Sequence, residues 1–308
     1  MTKIKLPNFL IVGAAKRGTT SLYHYLKQHP EIYLNEKVKE SRFFTYMDYF
    51  GDTLGAGPGD ADEARYPKTI EEYQRLFRTE NQQAVGEISP DYLYYHEWVV
   101  PNIKKVLGDV KIIIILRNPV ERAYSSYMHL VAAGRETLDF SQALALEEKR
   151  VADRYWFIWH YQAAGLYRKQ VEDFLNNFTD VKIVLFDDLN ENPAALNNEL
   201  CDFIGVQSNF IPDLSKKYNV SGKPKNKVIN RFLKQNNRAK IFVKPIVDSL
   251  GMGSPVRKTI KLLIDANDKN MTKCEMDESI KIKLYKYYAE DIVKLQNVID
   301  RDLSPWTR

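Results

Sequence analysis

The stretch Phe9-Leu10-Ile11-Val12-Gly13-Ala14-Ala15-Lys16-Arg17-Gly18-Thr19-Thr20 decides how the rest of the chain reads. Phe9 to Val12 is a short continuous apolar run, the kind a strand buried on both faces needs. Ser21 to His29 reads as a helix with Leu22, Tyr23, Tyr25 and Leu26 on its inner side, stopped near Pro30. A strand, a glycine-bounded turn and a helix start together present unpaired backbone N–H groups and the positive end of a helix dipole. That makes an anion cradle. The plainer alternative is that Gly13 and Gly18 only shape a tight turn, with Lys16 and Arg17 solvated.

The turn departs from the nucleotide-triphosphatase pattern GxxxxGK[ST]: Gly13 and Gly18 hold the spacing, but Thr19 takes the lysine position and Lys16 and Arg17 lie inside the loop. A lysine there still reaches a bridging or terminal oxygen of a bound anhydride, and Thr19, Thr20 and Ser21 add hydroxyl donors. The strongest strand, Val110 to Leu116, contains four consecutive isoleucines and is followed at once by Arg117. A Walker B strand would end in a metal-holding Asp. Arg117 cannot ligate a metal but suits a phosphate. Asn118-Pro119 opens a helix to about Ala133, with Ser125 eight residues beyond Arg117 and His129 one turn further on the same face. The two units offer two anion sites in place of one anion site and one metal site.

Between and beyond them, Ala84 to Ile88 and Val181 to Phe186 read as buried strands. Ile70 to Phe77, Trp98 to Leu107, Leu138 to Ala152, Trp156 to Phe178 and Pro193 to Ile204 read as helices, the last closed by Gly205. Asp187-Asp188-Leu189 reads as a turn, and the chain from about Val228 as mainly helical, ending with Ile280 to Ile299. The alternation predicts an α/β fold: one doubly wound, P-loop-like parallel sheet with helices on both faces and a helical C-terminal part. Residues 1–308 read as a single domain, with 206–308 as that C-terminal portion. Phe43-Phe44 anchors its segment against the core and holds Glu40 and Arg42 at the edge of the cleft. Glu87 sits near the end of its strand, where open α/β sheets bind ligands, or else is a capping or salt-bridged carboxylate.

At 308 residues, 44% hydrophobic and 28% charged, the chain has the make-up of a soluble globular protein with ample core. The net charge of +5 is unevenly spread, with ten Lys or Arg and no Asp or Glu from Lys216 to Lys244. Such a stretch suits an anionic partner or a solvated surface. Cys201 and Cys274 make no metal or redox spacing, which predicts a reducing compartment, and the lack of a membrane anchor makes a cytoplasmic setting the expectation. No apolar run approaches ~20 residues, so no stable membrane insertion is expected. The five histidines form no paired cluster, so no metal is expected, and nucleic acid is not an expected partner.

Taken together, these residues resemble the sulfotransferases that use 3′-phosphoadenosine 5′-phosphosulfate (PAPS), most closely the carbohydrate and heparan-sulfate type and its bacterial relatives. Gly13 to Thr20 is similar to the family's 5′-phosphosulfate loop, and Leu116-Arg117-Asn118-Pro119 with Glu121-Arg122 and Ser125 to its 3′-phosphate motif. Lys39-Glu40-Ser41-Arg42-Phe43-Phe44 resembles the segment carrying the catalytic glutamate. Ser221-Gly222-Lys223-Pro224 resembles a loop that closes over the cofactor, and Arg301 to Trp306 a frequent C-terminal ending. Ile88 departs from several heparan-sulfate members, which carry a lysine there.

The resemblance implies sulfuryl transfer from PAPS to a hydroxyl or amine of an acceptor, carbohydrate above all, with PAP as product and no metal required. It implies Glu40 as general base, with His129 its rival, and Lys16 neutralising the leaving oxygen. The cofactor-binding residues it implies are Lys16, Arg17, Gly18, Thr19, Thr20, Ser21, Arg117, Ser125, Tyr167, Gly222, Lys223 and Lys225. Arg42, Glu87 and Tyr92 are the expected acceptor-binding residues. An ATP-dependent kinase and a non-catalytic nucleotide or polyanion binder remain as rivals, and the oligomeric state is not legible.

Overall fold

The computed structural model describes residues 3–16, 18–47, 66–214 and 275–307. Five parallel strands form the central sheet: β1 (Phe9–Gly13), β2 (Ile32–Leu34), β3 (Ala84–Ile88), β4 (Lys111–Leu116) and β5 (Val181–Leu185). Their order is β2-β3-β1-β4-β5, so the first strand is the central one. Leu10 pairs with Glu87 on one side and Ile112 on the other. All the carboxyl ends point the same way. The turns after β1, β3 and β4 therefore open side by side at the place where the chain order reverses, which is where open α/β sheets bind ligands.

The apolar runs form these strands because both faces are covered. Phe9, Ile11, Ile113 and Ile115 pack with α1 (Thr19–Leu26) and the helix Pro193–Ile204. Leu10, Val12, Ile112, Ile114 and Leu116 face the opposite core. That core holds α2 (His96–Leu107), α3 (Pro119–Ala132), α4 (Tyr167–Asn177) and, beyond α5 (Pro193–Ile204), α6 (Glu278–Ile299). Ile112 to Ile115 are 0% exposed, and burying each such side chain contributes roughly 1.5–3 kcal/mol.

The doubly wound parallel sheet with helices and a helical C-terminal element is as expected. Several elements differ from the sequence reading. Trp156 to Phe178 is not one helix: two short 3₁₀ turns, Phe157–Trp159 and Ala163–Gly165, precede α4. Leu166 is non-helical there (φ −80°, ψ 85°), and Tyr288 of α6 packs so closely on Gly165 that a Cβ would lie 2.8 Å from its hydroxyl. Leu138 to Ala152 divides into Phe140–Ala145, started by an Asp139/Gln142 capping box, and Glu147–Ala152. Asp187 to Leu189 belongs to a short helix, Phe186–Glu191, rather than a turn. Strand β2 and the small antiparallel pair of Lys3–Ile4 with Arg78–Thr79 were not anticipated. The basic stretch and the sequence from Val228 to Cys274 lie outside the described residues.

Candidate active site

Gly18 is the N-cap of α1 in the left-handed conformation (φ 79°), with no side-chain cap on the first-turn N–H groups. Glycine is required there twice over. The positive φ disfavours any side chain, and a Cβ would sit 2.5 Å from Leu189 Cδ2 and 3.0 Å from Phe186 Cε2. Lys16 is also left-handed (φ 65°) and half-buried. Thr19 is buried, Thr20 and Ser21 are half-buried at the helix start, and Arg17 lies outside the described residues. The open amide end of α1 is thus left available to an anion.

Glu40 is held beside this turn. Lys39 Nζ donates to Thr20 Oγ1 at 2.9 Å and lies 3.6 Å from Glu40 Oε1, while Arg42 Nη2 donates to Glu40 Oε2 at 3.3 Å. The carboxylate, 31% exposed, is flanked by two cations. Burial lowers the Lys39 ammonium below its ordinary range, and Glu40 offsets only part of that. Arg42 is sandwiched between aromatic rings, its guanidinium 5.0 Å from the centre of Tyr66 and 4.7 Å from that of Trp156.

What fixes this segment is Glu87. Its carboxylate accepts from Tyr73 Oη at 2.5 Å, Tyr92 Oη at 2.6 Å, Ser89 Oγ at 2.8 Å and the Ser41 hydroxyl. Burial raises its pKa, and the four hydroxyl donors pull the other way. The Arg42 N–H donates to Ser89 Oγ at 3.1 Å, and Phe43 stacks on Tyr73 with ring centres 4.4 Å apart. Glu87 and Tyr92, expected from the sequence at the acceptor, are therefore placed in the interior, 4% and 0% exposed, with their polar atoms tied to each other and to the Glu40 segment.

The second unit meets the first across one ring. Arg117, at the end of β4, donates from Nε to Glu121 Oε2 at 2.6 Å and lies 4.9 Å over the Phe186 ring. The same ring closes on Gly18. Asn118 Oδ1 accepts from the Val120 N–H at 2.9 Å and the Glu121 N–H at 3.4 Å, so α3 caps its own start. An anion here must be held by side chains, Arg117 and Ser125, rather than by open amides. Ser125 is half-buried, and His129 is exposed one turn beyond it. Buried Arg122 donates to the His160 carbonyl at 3.2 Å and to that of Tyr161, pinning the segment before α4. Tyr167 is 1% exposed, with its N–H bonded to Asp291 Oδ2 at 2.8 Å. Gly222, Lys223 and Lys225 lie outside the described residues.

Sequence reasoning missed Lys39 as the link between Glu40 and the turn, and Phe186 as the wall shared by both units. For Lys39 a signal existed, its adjacency to Glu40. Phe186 gave none, because in sequence it reads as the last apolar residue of a strand, whereas it opens the short helix Phe186–Glu191. Among the described residues no group of three or more His, Cys, Asp or Glu is placed to hold a metal.

The arrangement is that of an α/β protein with a carboxylate held beside an uncapped helix start. Residues 7–210 match the model of the Sulfotransferase family, and the chain belongs to that family. A crystal structure of a sulfotransferase from Alicyclobacillus acidocaldarius superimposes with a TM-score of 0.77 at 34% identity, covering 99% of this chain and 100% of that one. The membrane-associated sulfotransferase kil1 of Dictyostelium discoideum is 36% identical over 122 residues, 40% of this chain and 22% of that protein. Human heparan sulfate glucosamine 3-O-sulfotransferase 3B1 is 27% identical over 207 residues, 66% of this chain and 47% of that protein. The match thus spans less than half the length of these curated relatives.

Proposed function

We propose that the protein is a PAPS-dependent sulfotransferase acting on a hydroxyl or amine of an acceptor, a carbohydrate in the first instance. The observation that carries this reading is the Thr20–Lys39–Glu40 contact, which holds a carboxylate against the uncapped helix start. The residues present fit the donor. Lys16 and Arg17 to Ser21 suit its 5′-phosphosulfate, because the first-turn amides of α1 take no side-chain cap. Arg117 and Ser125 suit its 3′-phosphate, and Gly222, Lys223 and Lys225 are assigned by sequence to cover the nucleotide.

When bound, PAPS supplies the sulfuryl group that passes to the acceptor and leaves PAP. Glu40 accepts the acceptor's proton on its carboxylate, with Arg42 and Lys39 fixing that group's orientation. Lys16 neutralises charge at the leaving oxygen, as preorganised donors do where charge develops. A sugar acceptor is supported by the aromatic walls beside Glu40, where Tyr46, Tyr66 and Trp156 stack around Arg42, and by the glucosamine acceptors in the relatives' names. The unpaired cysteine spacing supports a reducing compartment, and we place the enzyme in the cytoplasm.

The test is incubation with PAPS labelled in its sulfuryl group and a panel of amino sugars, neutral glycans and simple amines. Transfer of label to a glycan, abolished by Lys16→Ala, is the expected result. Magnesium-dependent turnover of ATP with no labelled product would contradict the reading and favour a kinase.

A further inference from the structure

Beside the turn stands a cation that neither the turn nor its resemblance assigns to the donor. Lys39 Nζ has three N–H donors and, among its described partners, one hydrogen bond, to Thr20 Oγ1 at 2.9 Å. Glu40 Oε1 at 3.6 Å is an ion-pair contact beyond hydrogen-bond reach, and the Tyr23 ring lies 5.6 Å away. The side chain is 26% exposed, so its ammonium is partly stripped of water and carries donors to spare.

Its backbone is not free to wander. Ser41 is tied to buried Glu87, the Arg42 N–H to Ser89, and Phe43 and Phe44 are 2% and 0% exposed in the core. Thr20 is the second residue of α1 and so marks the rim of the amide cradle. Glu40 marks the acceptor side, because a general base must reach the acceptor's proton. A group lying between the two faces the part of the donor that passes from one to the other.

We propose that Lys39 binds the terminal sulfuryl oxygens of the donor, exchanging or sharing its Thr20 contact with them, and so distinguishes PAPS from PAP. This rests on the sulfotransferase reading. A fixed ammonium there adds charge-assisted hydrogen bonds to a group that PAP lacks. Lys16 and the first-turn amides serve the oxygens that PAP keeps.

The test is calorimetric titration of the wild type, Lys39→Met and Lys39→Arg with PAP and, separately, with PAPS in the absence of acceptor, alongside thermal melts. Lys39→Met is expected to lose PAPS affinity by about 10- to 100-fold while PAP affinity stays within about 3-fold, and Lys39→Arg to recover part of the loss. Equal losses for both nucleotides, or no loss for either, would overturn the assignment and leave Lys39 an anchor of its segment. A wild type that binds neither nucleotide would overturn the sulfotransferase reading itself, an outcome distinct from any difference between variants.

Discussion

At the scale of single residues, two carboxylates in neighbouring segments meet opposite environments. Glu40 is partly exposed between Lys39 and Arg42, the setting of a group that must exchange a proton. Glu40→Gln keeps the shape and removes the basicity, so turnover is expected to fall by about 10²- to 10⁴-fold with PAP affinity unchanged. Steady-state rates beside a PAP titration check this, and a fully active variant would remove Glu40 from the mechanism. Asp91 is buried, and burial pushes its carboxyl up to about 6, countered only in part by Arg42 and by Thr45 Oγ1 at 2.7 Å. A folded value above the unfolded one means the proton favours the fold. The resulting stability is full below about pH 4 and lost as pH rises through about 6. Asp91→Asn should therefore gain on the wild type between pH 4 and pH 8 by up to ~3 kcal/mol, read from denaturant unfolding at both pH values. A difference that stays flat with pH would contradict it. Glu40 was legible beside the aromatic pair that anchors it. The interior roles of Glu87 and Tyr92 were not, because four hydroxyls from Ser41, Tyr73, Ser89 and Tyr92 converge on Glu87 only after folding.

At the scale of elements, the turn between β1 and α1 is the most constrained. Gly18→Ala meets both a positive φ and the Leu189 and Phe186 side chains, so it should cost at least ~1–3 kcal/mol of stability and weaken PAP binding as well. Urea unfolding and a PAP titration of the same variant check both effects. Phe186→Ala leaves the turn's backbone alone but removes the wall shared by Gly18 and Arg117. It is expected to weaken PAP by about 2- to 5-fold through looser placement of Arg117, consistent with the ~0.5–1 kcal/mol of a cation–π contact. Strands β1 and β4 were legible because burial on both faces forces continuous apolar runs, and β3 and the edge strand β5 because short apolar stretches flank Glu87 and Lys182. Strand β2 was not, since three residues carry too little pattern. The break of Trp156 to Phe178 into 3₁₀ turns was hidden too, because its cause lies in Arg122 and Tyr288, which grip the Tyr161 and Gln162 carbonyls from elsewhere in the chain.

At the scale of the molecule, the chain's end is part of the site's frame. Arg301 Nη2 pairs with Asp188 Oδ1 at 2.9 Å, in the short helix that presses Phe186 and Leu189 on Gly18. Leu303 and Trp306 are 0% and 3% exposed. Trp306→Ala should cost ~3–5 kcal/mol in a denaturant titration, as emptying a well-packed aromatic site does. The fold class was legible from alternating strands and helices, and the two strand-to-helix turns from the glycine-bounded loop after Val12 and the Arg in place of a Walker B Asp. Their meeting across Phe186 was legible only in three dimensions. We propose that this frame reads a nucleotide carrying phosphates at both the 3′ and 5′ positions of its ribose. The most direct test is calorimetric titration with PAP, with ADP and with ATP plus magnesium in parallel. Tight PAP binding, weak ADP binding and loss of that preference in Arg117→Ala are the expected result. Tightest binding of ATP, dependent on magnesium, would contradict it.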